Sequence, residues 1–388
     1  MNIWIVTDTK YPNNDAPSVR NHLMAKALIY SGHSVCVFSR GVGANKGIYD
    51  TVPFISLRGN SERKIGLIIN YYFHFPEIFI RKIKEERPDA IIVYNIPTVM
   101  LLKLIFLQNK YHFVLFHDCV EWYSIEQFEK INFSQAKLYY QRNLWMKHIL
   151  PGQVKVIAIS QYIKKYFEGK NTNCVYFPSV CDCESAQLKK RIDRDKIIIA
   201  YAGLPGRKDH FSEIINAINM LSVNQKKMIE LHIIGATYEQ IAANAEVGNE
   251  IMGRVKAYIK CLPRMTHDKV MEYFQKVSFT ILVRPENVRY SKAGFPTKVP
   301  ESLVTGTPVI CNYTSDLREF LTDGYDSVIV KECSKEAVYD ALSRVLNMSY
   351  EERMKMCKQA RITAEVRFDY RIYAGMLSQF CKEDKNRN

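Results

Sequence analysis

No run of about 18 uninterrupted apolar residues occurs in this 388-residue chain, so no segment reads as a membrane-spanning helix. The best candidate, Ile91 to Leu107, is broken by Asn95, Pro97 and Lys103. The opening Met1-Asn2-Ile3-Trp4-Ile5-Val6-Thr7-Asp8 has no basic stretch before its apolar run and meets an acid directly after it, unlike a secretory signal. It reads as a strand of a protein expected to stay in the cytoplasm. Paired cysteine spacings are missing as well: ten cysteines lie scattered from Cys36 to Cys381 and read as reduced thiols. The one close pair, Cys181-Asp182-Cys183, lacks zinc-knuckle spacing and has no second Cys or His pair nearby.

There is no basic tail. The net charge is +14, but residues 1–185 hold 22 basic and 15 acidic side chains and residues 186–388 hold 32 and 25, which is +7 in each half. That spread excludes the concentrated footprint of a nucleic-acid binder, and no nucleic-acid partner is expected. A diffuse positive field suits phosphorylated substrates, with an anionic membrane surface as a second candidate partner. Disorder is excluded by composition, 47% hydrophobic against 24% charged. At roughly 150 residues per domain the length predicts two domains or one large one.

Metal and dinucleotide signals are weak. Asp193-Arg194-Asp195 has D-x-D spacing but precedes a strand instead of ending one, so it reads as a solvated turn. Gly41-Val42-Gly43-Ala44-Asn45-Lys46-Gly47 has its third glycine one place late and no helix signal behind it, which argues against a dehydrogenase. His210, His232 and His267 have no metal-like spacing. No metal and no resident cofactor are expected.

What is present is alternation. Short β-rich runs at Ile3–Thr7, Ser34–Ser39, Ala90–Tyr94, Phe113–His117 and Val156–Ser160 alternate with helical periods. A second series follows at Ile197–Ala202, Ile229–Ile234, Phe279–Val283, Pro308–Cys311 and Ser327–Val330. Two such series predict an α/β protein of two doubly wound Rossmann-like domains, with parallel sheets covered on both faces and a central cleft between them. The polar stretch Asp182–Lys196 marks the boundary, giving domains at 1–182 and 183–367, followed by a terminal helix at 368–388 free to pack back on the first.

Ligands of doubly wound sheets bind outside the carboxyl ends of the strands, so the loops there carry the chemistry. In the second domain, Gly294-Phe295-Pro296-Thr297-Lys298 opens a helix whose free N–H groups and lysine suit a diphosphate, and Glu301, three residues on, suits a ribose diol. Gly203-Leu204-Pro205-Gly206-Arg207-Lys208 places two adjacent cations beside a glycine turn, and Arg284-Pro285-Glu286 follows another strand. Any one of these loops alone reads more readily as a turn with solvated charges; three at the strand ends of one domain reverse that and point to one binding site.

These residues resemble glycosyltransferase family 4, the retaining nucleotide-sugar transferases of the GT-B fold. Ile3–Arg40 is similar to the family's first βαβ unit, Ile157–Tyr162 to its strand ending in Ile-Ser, Gly203–Lys208 to its phosphate loop, and Phe295–Glu301 to its E-x7-E region. The resemblance implies that Lys208 and Arg207 contact the donor diphosphate, that Thr297 and Lys298 help there, and that Glu301 holds the ribose. Gly203, Arg284, Gly294, Phe295 and Pro296 complete the implied donor site. The chain departs from the family at Ala293, where a glutamate is usual, and at Leu204, where an arginine is usual.

In the first domain the resemblance implies a histidine near the donor sugar, and His117 matches it. Asp118 and Glu121 either orient His117 or bind acceptor hydroxyls; the structural alternative is that Asp118 caps the next helix and Trp122 packs in the core. In the loop after the first strand, Ser18 and Arg20 border the expected cleft, and Arg20 is placed either to meet a phosphate or as an exposed arginine at a helix start. The implied enzyme is a metal-independent glycosyltransferase moving a sugar from a nucleoside-diphosphate sugar to a glycan or lipid-linked acceptor, in bacterial-type surface polysaccharide or glycolipid assembly. A sugar-nucleotide epimerase and a non-catalytic nucleotide-sugar-binding partner stand as alternatives. Two stretches that mix bases with aromatics, Lys64–Lys84 and Lys137–His148, suit peripheral contact with the inner face of a membrane as well as they suit helices packed on the core.

Overall fold

The computed structural model of the chain describes residues 1–13, 15–39, 46–56, 75–128, 132–185, 188–206, 208–244 and 247–383. It divides into two compact units, the first made of Met1–Trp122, Asn132–Pro178 and the chain from Tyr370 onward, the second of Tyr123–Ile131 and Ser179–Asp369.

The first unit contains β1 (Asn2–Thr7), α1 (Ala16–Tyr30), β2 (Ser34–Ser39), β3 (Lys46–Tyr49), β4 (Val52–Ser56), α2 (Phe75–Glu86), β5 (Ala90–Tyr94), α3 (Thr98–Tyr111), β6 (Val114–Cys119), α4 (Phe133–Leu144), β7 (Lys155–Ala158), α5 (Gln161–Glu168) and β8 (Cys174–Tyr176). Eight strands form a sheet in the order β3-β4-β2-β1-β5-β6-β7-β8, parallel except for the β3–β4 pair. Its central strands are continuous runs of Ile, Val, Phe and Leu because helices cover both faces and leave no wet side to alternate toward. α1 starts where Asp15 caps the N–H of Ser18 at 3.0 Å and Pro17 presets the first turn.

The second unit contains β9 (Ile197–Ala202), α6 (Phe211–Met220), α7 (Val223–Met228), β10 (Ile229–Ile234), α8 (Tyr238–Asn244), α9 (Asn249–Val255), β11 (Ile259–Leu262), α10 (His267–Phe274), β12 (Phe279–Leu282), α11 (Arg289–Ala293), α12 (Lys298–Val304), β13 (Val309–Asn312), β14 (Ser327–Val330), α13 (Lys335–Leu346) and α14 (Tyr350–Thr363). Its six strands are all parallel, in the order β11-β10-β9-β12-β13-β14. From β9 the chain winds outward through β10 to β11, then returns to β12 and winds the other way. β9 and β12 therefore flank the topological switch point, where successive loops leave in opposite directions and open a crevice.

The last helix, α15 (Tyr370–Lys382), belongs to the first unit. It packs on α1 and β8: His33 Nε2 and Ser378 Oγ are 2.7 Å apart, and the Phe380 ring lies 5.5 Å from that of Phe116.

The strand expected at Phe113–His117 runs on through Cys119, with Asp118 paired in register with Ile157. The reason lies in its partners: Asp118 is a buried polar residue that the neighbouring α1 neutralises, so the ladder continues past a residue that reads as a loop acid.

Candidate active site

Around the switch point of the second unit, side chains from three separate segments meet. Asp209, at the end of the loop after β9, is buried, and its Oδ1 accepts from Arg284 Nε at 2.6 Å while Oδ2 accepts from Lys298 Nζ at 3.0 Å. The Tyr201 hydroxyl donates to the same carboxylate. The Lys298 ammonium also sits over the Tyr201 ring, 3.9 Å from its centroid, a cation–π contact. Burial would raise the Asp209 carboxyl, but Lys298 and Arg284 together outweigh it and hold the group well below the usual carboxylate range. Burial pulls the Lys298 ammonium down, against the opposing pull of Asp209. Tyr201 is pushed the other way, by burial first and then by Asp209, and stays protonated as a donor. The cluster thus carries two cations to one anion.

The backbone is built to hold this arrangement. Gly203 follows β9 with φ +117°, a conformation that L side chains rarely adopt, and its N–H donates to the Ile234 carbonyl at 2.9 Å. Asn312, fully buried at the end of β13, accepts from the Arg284 N–H at 2.9 Å and donates to the Arg284 carbonyl and to Glu286 Oε1. That amide clamps the loop after β12 at both its backbone faces, so the Arg284 side chain leaves from a fixed origin.

Other residues singled out in the sequence fall around this cluster. Thr297 is the N-cap of α12, and its carbonyl accepts from Glu301 N–H at 3.3 Å. Gly294 ends α11 with its N–H on the Tyr290 carbonyl, and Pro296 receives the Val299 N–H. Phe295 is a core side chain, packed edge-on against Phe320 and Phe368 at 5.5 and 6.1 Å. Its part in the site is to anchor the turn before Lys298. Glu301 sits one turn beyond Lys298, and its Oε1 lies 3.7 Å from His267 Nε2, an ion-pair distance and longer than a hydrogen bond. This carboxylate raises the His267 pKa against the opposing effect of burial. The Lys208 ammonium lies 5.7 Å from the Tyr123 ring centroid, and Arg289 donates to the Tyr123 carbonyl. Arg207 lies outside the described residues, as do residues 41–45 of the glycine-rich stretch. Ala293 is fully buried in α11. The Asp193-Arg194-Asp195 turn is closed by Asp193 Oδ1, which accepts from the N–H groups of Asp195 and Lys196 at 2.8 Å each.

In the first unit, Arg20 and Asp118 belong to each other. Arg20 Nε and Nη2 donate to the two Asp118 oxygens at 2.8 and 2.7 Å, and Nη1 and Nη2 also reach the Pro178 and Phe177 carbonyls at 3.0 Å each. Both side chains are buried, so Arg20 is neither the exposed helix-start residue nor a guanidinium with its donors open to a phosphate; it ties α1 and β6 to the segment after β8. Asp118, correspondingly, caps no helix. Ser18 accepts from the Asn13 N–H at 2.8 Å and closes its own loop. His117 is buried within β6, its Nδ1 3.1 Å from Cys119 Sγ and its ring 5.4 Å from Trp145, while Nε2 has no hydrogen-bond partner among the described residues. Burial, reinforced by the Arg142 charge, pulls its pKa down to about 3, so the ring is neutral. Glu121 is half-buried, and its charge adds to the burial that raises the Tyr94 hydroxyl. Trp122 is buried and donates to Asn143 Oδ1 at 3.1 Å, which is the core role foreseen for it.

Sequence reading passed over Asp209, Asn312 and Tyr201. Asp209 stands directly after Lys208, and an acid beside a cation pair was the available signal; Tyr201 sits inside an apolar run that reads only as strand, and Asn312 lies one residue past the end of another. Among the described residues no three His, Cys, Asp or Glu side chains cluster so as to hold a metal ion, and no helix is long and apolar enough to cross a membrane.

Two Rossmann-like α/β units, the second with cations gathered at its switch point, define a glycosyltransferase of the GT-B fold. Two family models match the chain in tandem, Glycosyltransferase Family 4 over residues 18–175 and Glycosyl transferases group 1 over residues 184–363, and the chain belongs to this family. Among solved structures it is similar to the sucrose-phosphate synthase of Thermosynechococcus elongatus, with a TM-score of 0.75 at 16% identity over 100% of both chains. WaaG, a glycosyltransferase involved in lipopolysaccharide biosynthesis, gives 0.66 at 14% identity over 98% of this chain and 99% of its own. Anabaena HepE in complex with UDP-glucose gives 0.63 at 14% identity over 100% of both. At these identities the likeness is one of fold. No curated protein matches the sequence.

Proposed function

We propose that this glycosyltransferase takes a sugar from a nucleoside-diphosphate sugar and passes it, with retention of anomeric configuration, to a hydroxyl of a glycan or lipid-linked glycan. The observation that carries the reading is the convergence of Arg284 and Lys298 on Asp209 at the switch point of the second unit. A diphosphate arriving there meets two held cations, with Lys208 on the preceding loop adding to the field. Developing charge on the departing diphosphate is stabilised by groups already in place, which is the largest single source of rate in such reactions. The carbon–oxygen bond to the diphosphate breaks, the acceptor oxygen bonds to the same anomeric carbon on the same face, and its proton passes to the leaving phosphate oxygen. On this reading the cations do the work that a divalent metal does elsewhere, and no metal is needed. The fit of the fold to UDP-glucose-bound HepE supports a nucleotide-sugar donor, and the fit to WaaG supports a surface-glycan acceptor. Ten free cysteines support a reducing compartment, the cytoplasm.

The test begins with thermal shift against a panel of nucleoside-diphosphate sugars, because a ligand that binds only the native state raises its apparent stability. With the stabilising donor in hand, Lys298→Ala, Arg284→Ala and Lys208→Ala are each expected to lower transfer by roughly a hundredfold or more. Near-normal turnover in all three removes the proposed cradle. Product analysis without acceptor separates the reading from its rivals: an isomerised sugar nucleotide marks an epimerase, and binding with neither transfer nor hydrolysis marks a binding partner.

A further inference from the structure

Two helices of the first unit turn their apolar side chains outward. On α3, Val99, Leu102, Lys103, Phe106 and Lys110 are exposed, at spacings of three, four and seven that place them on one face, while Met100, Leu101 and Leu104 face the core. On α4 and its continuation through Trp145–Ile149, the exposed face runs Phe133, Lys137, Tyr140, Leu144 and Lys147. Phe106 is 76% exposed, Phe133 87% and Tyr140 71%, values that belong to polar residues on ordinary surface helices. The two helices are bolted together at one point: Thr98 Oγ1 accepts from Gln141 Nε2 at 2.8 Å and from Trp145 Nε1 at 3.0 Å. Trp145 is therefore inside, stacked beneath Arg142 at 4.5 Å, and does not belong to the outward face that the basic and aromatic residues of Lys137–His148 suggest.

Neither helix contains a single Asp or Glu. Bulky apolar side chains alternate with lysines on both faces, and the charge is of one sign. A protein partner is a poor fit, because the cores of protein interfaces are depleted in lysine. A lipid surface is a good one: lysine stems lie along the apolar face while their ammonium groups reach the headgroups, and Phe, Tyr and Leu enter the acyl boundary. We infer that the α3–α4 face of the first unit is a docking surface for an anionic lipid bilayer, on which the enzyme rests without spanning it.

The experiment is co-sedimentation of the full chain with vesicles, and it needs neither donor nor acceptor. Wild type is expected to pellet with phosphatidylcholine vesicles containing about one third phosphatidylglycerol and to bind pure phosphatidylcholine on the order of tenfold less. Raising salt from about 0.1 to about 1 M shortens the screening length from ~10 to ~3 Å and should release most of the bound protein. The triple variants Phe106→Ser/Phe133→Ser/Tyr140→Ser and Lys103→Glu/Lys137→Glu/Lys147→Glu alter exposed positions only, so they should melt as wild type does while each loses on the order of tenfold in binding. Wild type that stays in the supernatant with anionic vesicles overturns the inference, as does pelleting of both variants to the wild-type extent. Concentration-dependent self-association without lipid, abolished by the serine variant, also overturns it, since the face then belongs to a second copy of the chain.

Discussion

At the scale of single residues, the unit of organisation in the second half is a carboxylate that arranges cations. Asp209 touches Tyr201, eight residues before it, and Arg284 and Lys298, which only the fold brings near. Removing its charge leaves the Arg284 guanidinium and the Lys298 ammonium over a neutral amide. Breaking a fully buried pair costs about 3–5 kcal/mol, but Arg284 and Lys298 keep 20% and 27% of their side-chain surface, so the low end of that range applies. Asp209→Asn is therefore expected to lower the stability of the second unit by about 3 kcal/mol in urea unfolding; a variant as stable as wild type would mean that the cations hold their places without it. His117 gives the opposite kind of signal. It is neutral and buried with a folded pKa of about 3, whereas in the unfolded chain it takes up a proton below about pH 6.5. The unfolded state then binds more protons than the native one, so stability falls as pH drops through that window, at up to about 1.4 kcal/mol per pH unit. His117→Phe should flatten this acid limb, narrowing the loss between about pH 6 and 4 by roughly 2 kcal/mol. Parallel acid limbs in urea titrations of the two proteins would show that His117 does not titrate as its burial requires.

At the scale of elements, legibility followed burial. β2, β5, β9, β10 and β14 stand where their apolar runs put them, because a strand buried on both faces has no residue that reads otherwise. The four strands without a forecast are edge or near-edge pieces: β3 is exposed along its whole length, β4 is buried only at alternate positions, β11 is buried at none, and β8 has three residues. Such strands exist because a neighbour's backbone offers a ladder, which leaves little trace in their own side chains. The candidate site divides the same way. Its loops were readable, since Gly203 and the Lys298 turn announce themselves by residue type. The pairings were not: Arg284 meets Asp209 across 75 positions and Lys298 meets it across 89, distances only the sheet order closes. Arg20 shows the cost of lacking that order. A charged residue one turn into α1 reads as available, and the structure instead gives it a buried carboxylate 98 positions away.

At the scale of the whole molecule, the chain's last helix is the piece that sequence order misplaces. It follows the second unit, yet α15 completes the first, burying Tyr370, Ala374, Leu377, Phe380 and Cys381 against α1 and the end of the sheet. Lys26 lies over the Tyr370 ring at 5.6 Å, and the buried Lys155 reaches the Phe380 carbonyl at 3.4 Å, so polar as well as apolar groups of the first unit depend on it. Full burial of a Leu or Phe side chain contributes roughly 1.5–3 kcal/mol each, and a helix bringing several is worth on the order of 5 kcal/mol or more, comparable to the whole stability of many domains. Ending the chain after Asp369 should therefore unfold or severely weaken the first unit while leaving the second, whose chain segments, Tyr123–Ile131 and Ser179–Asp369, stay intact. Calorimetry of the truncated protein should show the transition of the second unit near its wild-type temperature, still raised by the stabilising nucleotide sugar, with the transition of the first unit lowered or lost. Two transitions at wild-type temperatures would mean that α15 sits on the first unit without holding it together.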